Sequence, residues 1–207
     1  MRTIFTIIGL VTLAAAWGGL RPMASHAFFA HMIMHMAVVA LAAPFLAFAL
    51  AGSKFDPVVK WPRLFSPVPL SIAELIIVWA WHTPAFHHAA RHSAIGFISE
   101  QGTFLLAGLL VWISAFGGQR NAPERAGAGV LALLLTSMHM TLLGALLALT
   151  PRPLYPHNHG FQSLTALADQ QLGGAIMILA GGASYLVGGL WLSTTLLRAK
   201  TNPEVAA

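Results

Sequence analysis

Residues 27–51 read AFFAHMIMHMAVVALAAPFLAFALA and contain no charged side chain. A transmembrane helix needs about 20 consecutive, predominantly apolar residues to cross the hydrocarbon core of a bilayer, so this stretch is long enough to span a membrane. The whole chain has the same character, because 57% of its 207 residues are hydrophobic and only 8% are charged. A soluble domain carries about 25% charged residues. The sequence therefore predicts an integral membrane protein.

Further uncharged stretches predict an all-α fold, a polytopic transmembrane helical bundle of about six spans that forms one membrane domain over residues 1–207. The predicted spans are 3–20, 27–51, 67–86, 93–116, 126–150 and 169–197. The first span is also compatible with a signal peptide, since Arg2 precedes an apolar run and Ser25-His26-Ala27 resembles a small-residue cleavage site. Its removal would leave five spans in the same orientation.

Basic residues between the spans predict that orientation, because Lys and Arg near span ends are retained on the cytoplasmic side. Eight of the eleven lie in alternate segments that include both ends of the chain: Arg2, Lys54, Lys60, Arg63, Arg120, Arg125, Arg198 and Lys200. The intervening segments hold only Arg21, Arg91 and Arg152. Both termini are therefore predicted to be cytoplasmic. The basic residues are scattered singly, which argues against a surface for nucleic acid.

The ten histidines all fall on the side opposite the basic segments. They are His26, His31, His35, His82, His87, His88, His92, His139, His157 and His159. Random placement on two sides would seldom give this distribution. The asymmetry predicts a functional site on the extracytoplasmic face of the bundle.

Two of the predicted spans carry histidine beside methionine. In the second span, His31, Met34 and His35 are three and four residues apart and share one helix face, so two imidazoles lie one turn apart. The fifth span contains Met138-His139-Met140. The chain has no cysteine, which excludes a thiolate site, and thioether with imidazole is a ligand set suited to Cu(I). We predict copper ligands among His31, Met34, His35, Met138 and His139, although hydrogen bonding between spans is the alternative role of a lone histidine.

Other polar residues on this side are further candidates. His82 precedes Thr83-Pro84 and should end the third span, so that His82 and His92 could add ligands at the site or at its mouth. Glu100 and Asp169 lie near helix N-termini, where the macrodipole favours a negative charge; either could instead orient a ligand histidine through its second ring nitrogen. The remaining loop histidines could capture metal loosely but are expected to be solvated: His87, His88, His157 and His159.

These motifs resemble those of the integral membrane cytochrome c oxidase assembly family of the CtaG type, which is found with caa-type oxidases. The resemblance is carried by His31-Met32-Ile33-Met34-His35-Met36, Trp81-His82-Thr83-Pro84, His92, Glu100, Met138-His139-Met140, Pro153-Leu154-Tyr155 and Asp169-Gln170-Gln171-Leu172-Gly173-Gly174. The chain departs from the family pattern at Gln101, where family members often have His.

The resemblance implies a non-enzymatic assembly factor for a haem-copper cytochrome c oxidase in the bacterial cytoplasmic membrane. It implies copper supply from a site reached from the outer side, with oxidase subunits as partners within the lipid bilayer. A second copy of the chain is a further candidate partner.

Three other functions remain open at the level of the sequence. Two histidines on facing helices can ligate haem iron, which would make the protein a membrane electron carrier. Glu74, about two turns into the third span, could handle protons in a transporter or could be a neutral, hydrogen-bonded carboxyl. Finally, a metal-free assembly scaffold would use the histidines only to hydrogen-bond across spans.

Overall fold

The computed structural model describes residues 1–118, 123–155 and 164–201, and none of these residues lies in a β-strand. The helices are α1 (Arg2–Ala14), α2 (Arg21–Ala24), α3 (Phe28–Met36), α4 (Ala43–Leu50), α5 (Pro57–Lys60), α6 (Pro67–Trp81), α7 (Pro84–His92), α8 (Ala94–Phe116), α9 (Pro123–Leu149), α10 (Ala166–Ile176) and α11 (Ala183–Thr201). The predicted all-α architecture is confirmed.

Five helical stretches within the described residues are long and apolar enough to cross a membrane. They are Arg2–Gly19, Phe28–Leu50, Ala94–Phe116, Glu124–Leu149 and Ala166–Thr194. Helices α6 and α7 pass the same test together as one bent span. The polytopic bundle of about six spans is therefore confirmed, while the side on which the termini lie stays a prediction.

The predicted third span is wrong at its end. Helix α6 stops at Trp81, and α7 continues at an angle of 73°. Thr83 has an extended backbone, as expected for a residue that precedes proline, and this residue breaks the helix before Phe86. The segment predicted as an outer loop is thus a helix, which changes the surroundings of the histidines it carries.

Within the described residues, three spans contain π-helical turns, at Ala15–Gly19, Ala37–Ala42 and Met177–Gly182. Such turns occur mostly as interruptions of α-helices and often lie near functional sites. In the second span, the carbonyl of Val39 accepts a hydrogen bond from the Trp112 indole at 3.2 Å, and that of Ala40 accepts one from Ser184 at 2.8 Å. The turn that follows the histidine motif is therefore fixed to α8 and α11.

Glycines allow α10 to approach two neighbouring helices closely. A Cβ atom at Gly173 would overlap the Phe28 ring and lie 2.9 Å from Cγ of Met32, both on α3. A Cβ atom at Gly174 would lie 2.6 Å from the backbone nitrogen of Ala148 on α9. These contacts hold α3 in place at the end of the bundle that carries the histidines, called here the histidine end.

Deeper in the bundle, the fully buried carboxyl of Glu74 connects three helices. Its Oε1 accepts a hydrogen bond from the Tyr185 hydroxyl at 2.6 Å, and its Oε2 accepts one from Thr136 at 3.0 Å. Thr136 also shares a hydrogen bond with Ser71 at 2.9 Å. Glu74 is thus a hydrogen-bonded carboxyl between α6, α9 and α11.

Candidate metal centre

The first turn of α3 is positioned by Asp169 of α10. The two carboxylate oxygens of Asp169 accept hydrogen bonds from the backbone N–H groups of Phe28 at 2.7 Å and Phe29 at 2.8 Å. These N–H groups have no partner within their own helix, and the negative charge is favoured at a helix N-terminus. Asp169 was one of two candidates, with Glu100, for a group that orients a ligand histidine, and a charge placed at a helix N-terminus was the alternative role. In the structure it binds the backbone three and two residues before His31 and fixes the helix that carries this ligand candidate.

His31, Met34 and His35 face the interior of the bundle, as their spacing predicts. All three are buried, and the rings of His31 and His35 are nearly parallel with centroids 6.4 Å apart. The His35 ring also lies 4.0 Å from the Phe104 ring of α8. The two imidazoles therefore lie one after the other along one face of α3.

His82 directly follows α6, and its ring lies beside those of His31 and His35. Its ring centroid lies 5.4 Å from that of His35 and 6.2 Å from that of His31. The Nδ1 atom lies 2.6 Å from the carbonyl of Val78; since a carbonyl can only accept, Nδ1 carries the proton and Nε2 presents a lone pair. A metal-binding histidine commonly has its second nitrogen engaged in this way.

Tyr155 fixes the backbone at His82, where α6 ends. Its hydroxyl donates to the carbonyl of His82 at 2.6 Å. Burial raises the pKa of the Tyr155 phenol above its ordinary value, so the hydroxyl keeps the proton that it donates. The sequence motif Pro153-Leu154-Tyr155 thus supports the site through the backbone of a candidate ligand.

His87 was predicted to be a solvated loop residue, and that prediction is wrong. It lies on α7 with only 3% of its surface exposed. Its ring stands edge-on to that of His31, with centroids 5.2 Å apart, and contacts the Tyr155 ring at 4.3 Å. The bend between α6 and α7 turns this side chain inward. We call His31, His35, His82 and His87 the histidine cluster.

Glu100 of α8 supplies an oxygen donor beside the cluster. Its Oε1 lies 3.7 Å from Nε2 of His31, and its Oε2 accepts a hydrogen bond from the Gln101 amide at 3.1 Å. Gln101 in turn accepts a hydrogen bond from the Trp17 indole at 3.1 Å. The residue that departs from the family pattern thus links the Glu100 carboxylate to Trp17.

Three of these groups could share one ion. One ligand atom each from His31, His87 and Glu100 lie within 4.8 Å of one another. Atoms bound to one ion at about 2 Å each are at most about 4 Å apart, so small side-chain rotations would complete the coordination.

The donor atoms of this region are short of hydrogen-bond partners within the protein. Among the described residues, neither ring nitrogen of His31, His35 or His87 has one, and the same holds for Nε2 of His82 and Oε1 of Glu100. Buried polar groups are normally paired, because leaving them unpaired is costly. Nitrogen lone pairs converging beside a carboxylate oxygen are a donor set that fits a bound cation.

The fifth span presents one of its predicted residues to the bundle. His139 is buried, has no hydrogen-bond partner at either ring nitrogen among the described residues, and lies close enough to His35 for an electrostatic interaction. Met138 points outward with 68% of its surface exposed, whereas Met140 is fully buried. The structure therefore brings His139 toward the cluster but leaves Met138 away from it.

His92 lies at the surface rather than in the cluster. Its Nδ1 atom faces the carbonyl of His88 at 2.9 Å, and the two rings stack with centroids 3.9 Å apart. His92 lines an open cavity of about 380 Å³, the mouth cavity. The mouth cavity is also lined by Arg21, His31, Met34, Arg91 and Glu100. The predicted loop residues His157 and His159 lie outside the described residues.

Fold and site together define a polytopic helical membrane protein with a buried, histidine-rich centre that opens at one end of the bundle. The chain belongs to the cytochrome c oxidase caa3 assembly factor family (Caa3_CtaG), whose family model matches residues 1–199. No curated protein and no solved structure matches the chain. The family match confirms the resemblance drawn from the sequence motifs over nearly the whole chain.

Proposed function

We propose that this protein binds copper as Cu(I) at the histidine cluster and passes it to a haem-copper cytochrome c oxidase during assembly, without catalysing a reaction. The observation that carries the proposal is the convergence of His31, His87 and Glu100, with ligand atoms within 4.8 Å. The donors around them lack a hydrogen-bond partner in the part of the chain that the structure describes. Membership of an oxidase assembly family supports copper as the cargo.

The surrounding donors favour a soft ion. Met34 lines the same cavity as His31 and Glu100, and a thioether with imidazoles suits Cu(I) where thiolates are absent. His35, His82 and His139 stand next to the first three donors and would offer alternative ligands. A cluster with more donors than one ion needs allows the ion to move by exchange of one ligand at a time.

The mouth cavity gives the route for this exchange. It reaches the buried donors His31 and Glu100 from the surface that carries His92. We infer that copper enters and leaves at the histidine end, that oxidase subunits dock there, and that this end faces the extracytoplasmic side of the bacterial cytoplasmic membrane.

Metal analysis of the detergent-purified protein after anaerobic loading with Cu(I) tests the proposal. The wild type should retain near-stoichiometric copper, and the His31→Ala/His87→Ala double variant should lose it. The matched control is His26→Ala, which removes an exposed histidine just before α3 and should keep its copper. Size-exclusion chromatography establishes that each variant is folded.

Two results would point elsewhere. Absence of copper from the folded wild type would contradict the proposal and leave a metal-free scaffold, whereas a strong Soret band on the purified protein would favour the haem-binding alternative.

In cells, the folded double variant should fail to support oxidase assembly under copper limitation, while His26→Ala should support it.

A further inference from the structure

Arg91 places a permanent positive charge beside the candidate metal centre. It follows His87 by four residues on α7, so both side chains project from one face of this helix. Arg91 lines the mouth cavity together with His31 and Glu100. One of its guanidinium nitrogens is buried without a hydrogen-bond partner among the described residues, and its charge interacts with those of Glu100 and Asp169.

A cation next to a cation site has a cost that depends on the ion. Coulomb repulsion is proportional to the charge of the bound ion, so Arg91 penalises a divalent ion twice as much as a monovalent one. Histidine binds metal in its neutral form and adds no charge. The attraction between Glu100 and the bound ion is therefore opposed by the repulsion from Arg91.

The donor atoms alone would not select a monovalent ion. Two imidazoles with a carboxylate are also good ligands for Zn(II), and Cu(II) binds such sites more tightly than other divalent metals. Besides the Met34 thioether, which favours a soft ion, selection of Cu(I) against divalent ions at this site thus needs a feature that acts on charge.

We propose that Arg91 is that feature: a fixed charge at the mouth of the histidine cluster that selects a monovalent soft ion against divalent ions. This inference rests on the proposed function, since it concerns the same centre. An arginine suits the role because its guanidinium stays charged.

The test compares metal affinities of the purified protein for Ag(I), a stable monovalent stand-in for Cu(I), and for Zn(II). In Arg91→Gln the affinity should rise for both ions. The fold-change for Zn(II) should be the square of that for Ag(I), for example about tenfold against about threefold at an effective dielectric constant between those of protein and water. Arg91→Lys keeps the charge and should keep the wild-type ratio.

A second control is Arg152→Gln, which removes the same charge from an exposed position and should change neither affinity. If the folded wild type binds neither ion, the proposed function fails and this inference with it. If both ions bind but Arg91→Gln leaves their ratio unchanged, the charge selection is wrong while the metal site stands. Should Arg91→Gln fail to fold, Arg91→Met supplies the uncharged variant.

Discussion

His87 and His88 are adjacent in the sequence and have opposite surroundings. His87 is buried against His31, whereas His88 is exposed. His87→Ala should weaken Cu(I) binding by more than about 100-fold, because changes to groups behind a metal's ligands already cost about 10–100-fold. His88→Ala should leave the affinity unchanged. Competition titration with a Cu(I) chelator measures both, and equal losses in the two variants would contradict the assignment of His87 as a ligand.

The helix that carries His87 could have been predicted from residues around it, but not which of its faces is buried. Thr83-Pro84 is a helix-start signal, since proline is favoured in the first turn. On a helix that begins there, His87 and Arg91 share one face, while His88 and His92 share another. Thr83-Pro84 predicts where the helix breaks, but the direction in which α7 tilts at the 73° bend decides which pair is buried, and the local sequence does not give that direction.

The orientation of Met138 could not be predicted in the same way. Neighbouring residues on a helix point about 100° apart, and a span that is apolar on all sides gives no hydrophobic face to identify the interior. Polar neighbours are the better guide: Thr136, Ser137 and His139 are buried in α9, each of them a side chain that is costly to expose to lipid.

At the scale of elements, two carboxylates at opposite ends of the bundle each accept hydrogen bonds from several backbone N–H groups. Asp169 accepts from two backbone N–H groups at the start of α3, and Asp56 accepts from those of Gly52, Val58 and Gly118. Such charge-assisted hydrogen bonds contribute about 1.5–3 kcal/mol each. Because α3 carries two of the cluster histidines, only the first carboxylate should influence metal binding.

Asp169→Asn and Asp56→Asn should therefore both lower the thermal unfolding temperature in detergent. Only Asp169→Asn should also weaken Cu(I) binding, because it releases the first turn of α3. Parallel measurements of unfolding temperature and Cu(I) affinity separate the two effects. A Cu(I) affinity that falls equally in both variants would show that general loosening, rather than the position of α3, controls the site.

Close helix packing gives a second prediction at this scale. Gly173→Ala should destabilise the protein by about 1–3 kcal/mol, the usual cost of overpacking, because its new methyl group would overlap Phe28. Gly127→Ala on α9 is the matched control, since among the described residues no heavy atom beyond its chain neighbours and its own helix backbone lies within 4 Å of its Cβ position. Thermal unfolding should show a lower midpoint for the first variant alone; an unchanged midpoint would mean that α10 can move away from α3.

Most helices were predictable, because hydropathy reports the length of a span that has no break within it. Predicted boundaries at 27–51 and 93–116 agree with Phe28–Leu50 and Ala94–Phe116. The π-helical turn at Ala37–Ala42 was not predictable, since its carbonyls accept hydrogen bonds from side chains of other spans. Trp112 and Ser184 lie far along the chain from the carbonyls that they bind.

At the scale of the whole molecule, described basic residues from three predicted cytoplasmic segments lie at the end of the bundle away from the histidine cluster. Arg2 and Lys54 come from different predicted cytoplasmic segments and line one groove, and Arg2 donates to the carbonyl of Gly52. Arg125, from a third such segment, donates to the carbonyl of Phe65 at 2.7 Å. The alternation of segments predicted from charge thus agrees with the fold, while the side of the membrane remains a prediction.

The absence of cysteine from the sequence allows this side to be measured with single thiols. Lys54→Cys and Arg152→Cys each replace an exposed basic residue, the first in a predicted cytoplasmic segment and the second after α9 on the other side. In intact cells, a membrane-impermeant maleimide should label only Arg152→Cys, because basic segments are retained inside. Permeabilised cells should show labelling of both variants, which controls for the reactivity of each thiol.

The labelling result decides where copper can be exchanged, because the mouth cavity opens on the same end as His92. If Arg152→Cys is the variant labelled in intact cells, the histidine end faces outward and the cargo must be received and released outside the cytoplasm. If Lys54→Cys is labelled instead, the whole bundle is inverted. The same donors would then draw copper from the cytoplasm, and the proposed delivery to an extracytoplasmic face of the oxidase would be wrong even if the metal site is correct.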